Sequence, residues 1–451
     1  MNFFQGNLYP LLKLGLPLAA TGLVQSGIFF FETLFLAHLG SDILAAGALV
    51  SWLSGTFAVI VFGLLSSINV LVSHKFGAKD YPGITKVIRD GLWLALILVL
   101  PSVLLFWNMA TIFLWLGQKP NIVFLAKSYL HGLTFGILPN FIVTALLETI
   151  TGLGQTKLVF KLSLVSVTST IFLSFALIFG KFGLPALGIA GAGWSIALSN
   201  WLTLVILVSY LLINQENKPY FQKIFTFSKP VYLLELIRIG APMGFMYCVE
   251  VGFFFVLTLI MGLFSSQILA ANQVALQYLG ALISIIFSIA QAITVRMGHL
   301  LGAGKRKAAE YAAYAGIFVS FIFMFFIGLV YWFVPTLLIG LDFNLYAAKN
   351  FTIIHYATQF LSLCAVFQLM EAVRIALFGA LRSLRDTHFT LLISVISFWV
   401  ISLPLGYFLA TYFKLSGQGL WYGMIIGSSL SVLLLFQRFK TKIMNYASVV
   451  T

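Results

Sequence analysis

Long apolar runs, each closed by a short polar or basic stretch, recur from one end of the chain to the other. A helix needs roughly 20 residues to cross the hydrocarbon core of a bilayer. The pattern predicts twelve such helices, at 10–38, 44–74, 88–115, 122–152, 158–182, 188–213, 232–264, 268–299, 310–340, 350–381, 388–413 and 417–438. Strands of a membrane barrel would show alternating segments of about 10 residues. The runs here are longer and apolar on all sides, and over such lengths in lipid a helix satisfies its own backbone groups.

Composition supports the same reading. Apolar residues make up 61% of the 451 and charged residues only 8%, against about a quarter charged in soluble domains. So few polar groups could not cover a water-facing surface. Residues 1–10 hold no basic leader and no small-residue cleavage site, so the first run is expected to be a retained span rather than a signal peptide. Cys248 and Cys364 both fall inside apolar runs, which suggests neither a disulfide framework nor a metal cluster.

The net charge of +14 is spread between the runs rather than gathered on one face, which argues against nucleic acid as a partner. Connections after even-numbered helices hold Lys75, Lys79, Lys86, Arg89, Lys157, Lys161, Lys218, Lys223, Lys229, Lys305, Arg306, Lys307, Arg382 and Arg385. Those after odd-numbered helices hold only scattered lysines such as Lys119, Lys181 and Lys414. Positive residues stay on the cytoplasmic side, so both termini are expected there. The expected location is the plasma membrane, the inner membrane in a bacterium.

The chain also repeats itself. A shift of 225 lays Leu11–Ala46 over Leu236–Ala271 without a gap and with fourteen identities, among them Gly15 on Gly240 and Pro17 on Pro242. The same shift carries His74 onto His299, and a shift of 226 brings Gly191 and Gly193 onto Gly417 and Gly419. Two homologous six-helix lobes follow, at 1–213 and 232–451, joined by a basic cytoplasmic linker at 214–231. Six is even, so the lobes share one topology about an axis along the membrane normal, an architecture suited to alternating access.

Apart from acids in loops or at helix ends, such as Asp42, Asp80, Asp90, Glu216, Glu235, Glu310, Asp342 and Asp386, four lie inside predicted spans: Glu32, Glu148, Glu250 and Glu371. A charge at mid-membrane costs at least ~2.5 kcal/mol, so such a residue faces a cavity or a partner. Glu250 is near the middle of the seventh helix, with no ionisable residue within two turns. Glu371 has Arg374 one turn further on, on the same helical face. Two readings of that pair stand: a transport site, or a salt bridge that neutralises both. Glu32, in the outer half of the first helix, admits both a functional and a structural role, while Glu148, near a cytoplasmic helix end, reads as structural. Pro17, Pro101, Pro139, Pro242 and Pro404 fall in or near spans, where proline permits a kink.

At KLGLPLAATGLVQSGIFFFETLFLAHLG, at IGAPMGFMYCVEVGFFF with ILAANQVALQ, and at ISFWVISLPLGYFL with GQGLWYGMIIG, the sequence resembles the multidrug and toxic compound extrusion (MATE) family and its NorM-like branch. The resemblance implies two lobes around a V-shaped central cleft, and export of amphipathic, often cationic, compounds in exchange for Na+ or H+. By position it assigns Glu32 to the family's acidic place in the first helix, and Glu250 and Glu371 to a cation site of the second lobe, holding Na+ if that ion couples. Arg374 departs from the pattern, as a guanidinium there competes with Na+. Thr170 and Ser174 stand where relatives often have Asn, which weakens a matching first-lobe site.

The resulting expectation is a monomeric ion-coupled efflux antiporter with small organic cations and membrane lipids as partners. It needs no cofactor beyond the coupling ion. The alternative is a flippase for lipid-linked oligosaccharides, which would want several basic residues along its cleft; only Arg374 is mid-span. An intramembrane enzyme would need paired Asp, HExxH or DDxxD-like clusters, and the sequence has none.

Overall fold

The computed structural model describes residues 2–221 and 229–446. Residues 222–228 of the expected linker, with Lys223, and residues 447–451 lie outside the described residues. Among the described residues there are twelve helices long and apolar enough to cross a membrane. They are α1 (Asn2–Ala37), α2 (Ser41–Gly77, with a turn at Ser66), α3 (Tyr81–Trp115), α4 (Pro120–Gly152), α5 (Thr156–Phe179) and α6 (Ile189–Ile213). The second half supplies α7 (Leu233–Phe264), α8 (Ser266–Gly302), α9 (Arg306–Phe333), α10 (Phe351–Ser383), α11 (Thr387–Thr411) and α12 (Gly417–Met444).

Local chemistry sets several of the boundaries. Asp80 caps α3 by accepting from Gly83 N at 2.9 Å, with Pro82 in the first turn, where its missing N–H costs nothing. This start lies seven residues earlier than the apolar run alone suggests, because Thr85, Lys86, Arg89 and Asp90 interrupt that run near its beginning. Ser265 caps α8 through Ile268 N at 3.1 Å. α5 stops at Gly180, whose φ of 66° is the left-handed conformation that glycine accepts without strain.

Two expected helices are not continuous. The run at 310–340 divides at Val334, with φ −136°, and a short helix, Pro335–Asp342, follows. Proline lacks an N–H and keeps the residue before it out of the helical region. Within α11, Val395–Ser402 is π-helical, a local widening of the helix often found at functional sites.

The chain forms two compact units, Ala20–Ala241 and Met1–Ala19 together with Pro242–Thr451. The divisions thus fall inside α1 and α7, next to the repeat-related Pro17 and Pro242, rather than at the loop between the halves. Lipid offers no hydrophobic drive for helices to associate, so each unit is held by close packing and hydrogen bonds. In the first unit, Gly132 and Gly136 let α4 lie on α6: a Cβ at either would come within 2.8 Å of Trp194 N or Ala197 Cα. In the second, α10 is the central helix. Gly379 allows it onto the carbonyl of Ala290 in α8, and Gly427 brings α12 against the π-helical turn, where a Cβ would stand 2.6 Å from Ser397 O. Phe360, Phe367, Phe398 and Trp421 fill the core beside this contact, all fully buried.

Candidate functional site

The central helices of the second unit carry a buried charged cluster. α10 places Glu371 and Arg374 one turn apart, and α7 brings Glu250 to the same guanidinium. Arg374 Nε donates to Glu371 Oε2 at 2.8 Å while its Nη2 donates to Glu371 Oε1, a two-pronged fork on one carboxyl group. Nη1 donates to Glu250 Oε1 at 2.8 Å. The guanidinium carbon lies over the rings of Phe378 and Phe398, at 4.5 and 4.7 Å from their centroids, in two cation–π contacts.

Two hydroxyls complete the cluster. Ser394 Oγ of α11 donates to Glu250 Oε1 at 3.2 Å, and Ser428 Oγ of α12 donates to Glu371 Oε2 at 3.4 Å. The packing explains both. Ser394 immediately precedes the π-helical turn, and in that turn Trp399 Nε1 donates to Val249 O at 3.0 Å, tying α11 to α7 beside Glu250. Ser428 follows Gly427, whose missing side chain sets the approach of α12.

Arg374 is 0% exposed, Glu371 2% and Glu250 8%, so Glu250 is the member nearest the surface of the unit. With both carboxyl groups ionised, one guanidinium leaves the cluster short of one positive charge. A single added proton would balance it. A second monovalent ion about 4 Å from the guanidinium would meet roughly 4 kcal/mol of repulsion at an effective dielectric constant of 20. Among the described residues no group of three or more His, Cys, Asp or Glu side chains is arranged to hold a metal ion.

Of the residues singled out in the sequence, Glu250, Glu371 and Arg374 are therefore brought together, and the Glu371–Arg374 pair forms as its spacing implies. Glu32 belongs to the other unit. There it is buried and accepts the Tyr129 hydroxyl of α4. Glu148, also buried, accepts from Asn69 Nδ2 at 2.6 Å and joins α4 to α2. Thr170 and Ser174 are tied up in hydroxyl pairs with Ser199 and Ser195.

Sequence reasoning missed three contributors. Ser394 gives no signal, because Ser163 occupies the matching place in the first half. Ser428 has one, its position after a glycine in the small-residue pattern of GQGLWYGMIIG. Asp90 reads as a helix-end acid but is fully buried in α3. It pairs with Arg89 Nη2 at 2.9 Å and accepts the backbone N–H groups of Val231 and Tyr232 at 2.7 and 2.6 Å. It thus fixes the entry into α7, where a carboxylate also suits the positive end of the helix dipole.

Comparison with known proteins bears on both halves. The family model described as MatE matches residues 17–176 and 242–408. The chain is 28% identical to a probable multidrug resistance protein NorM of Brucella suis, over 97% of this chain and 94% of that one. It is 31% identical to the protein of the same name from Pseudomonas aeruginosa, over 96% of this chain and 89% of that one. Among solved structures, the eukaryotic MATE transporter AtDTX14 superposes with a TM-score of 0.83 at 22% identity, covering 98% of both chains. A MATE crystallised in a bent conformation gives 0.88 at 18% identity, covering 98% of this chain and 97% of that one. The duplicated six-helix pattern and a family match that spans both copies lead to one conclusion: this chain belongs to the MatE family.

Proposed function

We propose that the protein is a multidrug efflux antiporter that exports amphipathic, cationic compounds in exchange for an inward-moving cation, Na+ or H+, by alternating access. It works from the plasma membrane, the inner membrane in a bacterium, with both termini on the cytoplasmic side, as the distribution of Lys and Arg indicates. The names of the relatives, multidrug resistance proteins, support the substrate class. The observation that carries the coupling is the buried Glu250–Arg374–Glu371 cluster, in which two carboxyl groups share one guanidinium. Intramembrane ionisable groups of this kind mark ion and substrate pathways.

Exchange follows from charge balance. A cation entering from outside completes the cluster, and release on the inner side leaves it ready for a cationic drug. One elementary charge moved through 100 mV is worth ~2.3 kcal/mol, enough to drive export against a gradient. The flippase alternative loses support, since Arg374, its one mid-span cation, is committed to two carboxyl groups and is fully buried. Ethidium efflux from proteoliposomes under an imposed Na+ or H+ gradient tests the proposal. Efflux that follows a gradient, and is lost in Glu250→Gln, is the expected result. No efflux under either gradient would sink the antiporter and favour the flippase.

A further inference from the structure

We infer that Arg374 is a built-in cation that occupies the place of an alkali ion, so that the Glu250–Glu371 site takes no Na+ while Arg374 is present. An alkali ion is held by several oxygen lone pairs converging on one point. Here the convergent oxygens are already engaged. Both oxygens of Glu371 and Oε1 of Glu250 receive N–H donors from one guanidinium, and Ser394 and Ser428 add O–H donors to the same oxygens. These five hydrogen bonds all place a donor hydrogen on a carboxyl oxygen, and Arg374 Nη1 also donates to Ser394 Oγ at 3.3 Å, so of the four carboxyl oxygens only Glu250 Oε2 lies outside this set of contacts.

The guanidinium is also not free to step aside. It is fully buried, gripped by a fork on Glu371, and in contact with the rings of Phe378 and Phe398. Leaving would strip it of all three carboxyl bonds and both ring contacts at once. Glu371 is thereby neutralised in advance, and Glu250, the least buried member, is left to meet whatever enters. The two-carboxylate Na+ site that the resemblance implies is thus replaced in this chain by an internal ion pair with a single open partner.

The consequence can be read in the duplicated half. A shift of 231 lays Thr156, Leu153 and Ala145 over Thr387, Leu384 and Ala376, and it puts Asn140 and Val143 over Glu371 and Arg374. Arg374 therefore stands where the other copy has an uncharged, buried Val143. Substitution by an uncharged side chain would leave two carboxyl groups facing each other without a cation.

The inference rests on the antiporter reading only for its consequence in transport; its primary test is ion binding by the purified protein. Thermal unfolding is followed in detergent at equal ionic strength in NaCl and in choline chloride. Wild type is expected to unfold at the same temperature in both. Arg374→Met, which keeps the length of the side chain and drops its charge, is expected to gain a saturable Na+-specific rise that disappears when Glu250→Gln is added. A Na+-specific rise in wild type that Glu250→Gln removes would overturn the inference, as would a folded Arg374→Met with no response to Na+. Should Arg374→Met fail to fold in either salt, the wild-type comparison decides alone. In proteoliposomes, the same account expects wild-type efflux to be indifferent to an imposed Na+ gradient. Absence of any efflux would count against the antiporter and leave the binding result standing.

Discussion

Gln25, Asn140 and Val143 in the first half stand where the second half has Glu250, Glu371 and Arg374. The exchange runs the other way at a second level: Glu32 and Tyr129 in the first half face each other where the second half has Leu257 and Phe360, both fully buried in its apolar core. A third pair of positions shows how the same contact is closed by different means. Asn69 and Glu148 join α2 to α4 through side chains, while their counterparts Thr294 and Gly379 join α8 to α10 through a hydroxyl on a carbonyl at 2.8 Å. The duplication has kept helix order and matched positions such as Pro17 with Pro242 and Gly193 with Gly419. The charged chemistry differs between the copies, so a site found in one half cannot be transferred to the other by symmetry.

The sharpest way to break this comparison is to remove the charge that only one half has. Arg374→Met in a Na+-free medium leaves two buried carboxyl groups without their cation and is expected to cost about 3–5 kcal/mol, read as a large fall in thermal stability. The mirror change, Val143→Arg, places an unpaired cation beside Asn140 and is expected to cost at least about 2.5 kcal/mol. A mild effect from both would mean that the two positions are interchangeable after all. Gly427→Ala tests the packing that holds Ser428 on Glu371. The added methyl meets Ser397 O at 2.6 Å, and overpacking of this kind costs about 1–3 kcal/mol. In the first unit Tyr129→Phe removes one hydrogen bond from Glu32, with an expected loss of about 1–3 kcal/mol because the acceptor is buried. Its effect on stability should be smaller than that of Arg374→Met.

The smallest effect concerns pH. Asp80 at the start of α3 accepts from Lys75 Nζ at 2.8 Å and from Gly83 N, and the lysine beside it holds its carboxyl below the ordinary value. A group lowered in this way contributes stability above its unfolded value and loses it as pH falls, so the contribution is present at neutral pH and fades below about pH 4. The counterparts of Lys75 and Asp80 in the second half are Leu300 and Lys305, which cannot form the pair. Asp80→Asn should therefore flatten the acid limb of the stability profile slightly, and Lys305→Asn should not.

The helices and their duplication were legible because both rest on periodic, local signals: apolar length, charge between spans, and matched Gly and Pro positions. The i, i+3 relation of Glu371 to Arg374 was legible for the same reason. What the pattern could not show was that Glu250, 124 residues away, shares the same guanidinium, since the spacing of residues on separate helices is set by tertiary packing. The π-helical turn of α11 and the position of Asp90 were hidden likewise. The first is a backbone register that residue spacing does not announce, and the second is a capping contact across 141 residues.

The most direct test sets the two halves side by side in one assay. Ethidium efflux from proteoliposomes is measured under an imposed gradient for wild type, Glu250→Gln and Glu32→Gln, with folding of each checked by thermal unfolding. Loss of gradient-driven efflux in a folded Glu250→Gln is the predicted result and would locate coupling in the second unit. Wild-type coupled efflux in Glu250→Gln, together with its loss in Glu32→Gln, would contradict the account and move the coupling site to the Glu32–Tyr129 pair.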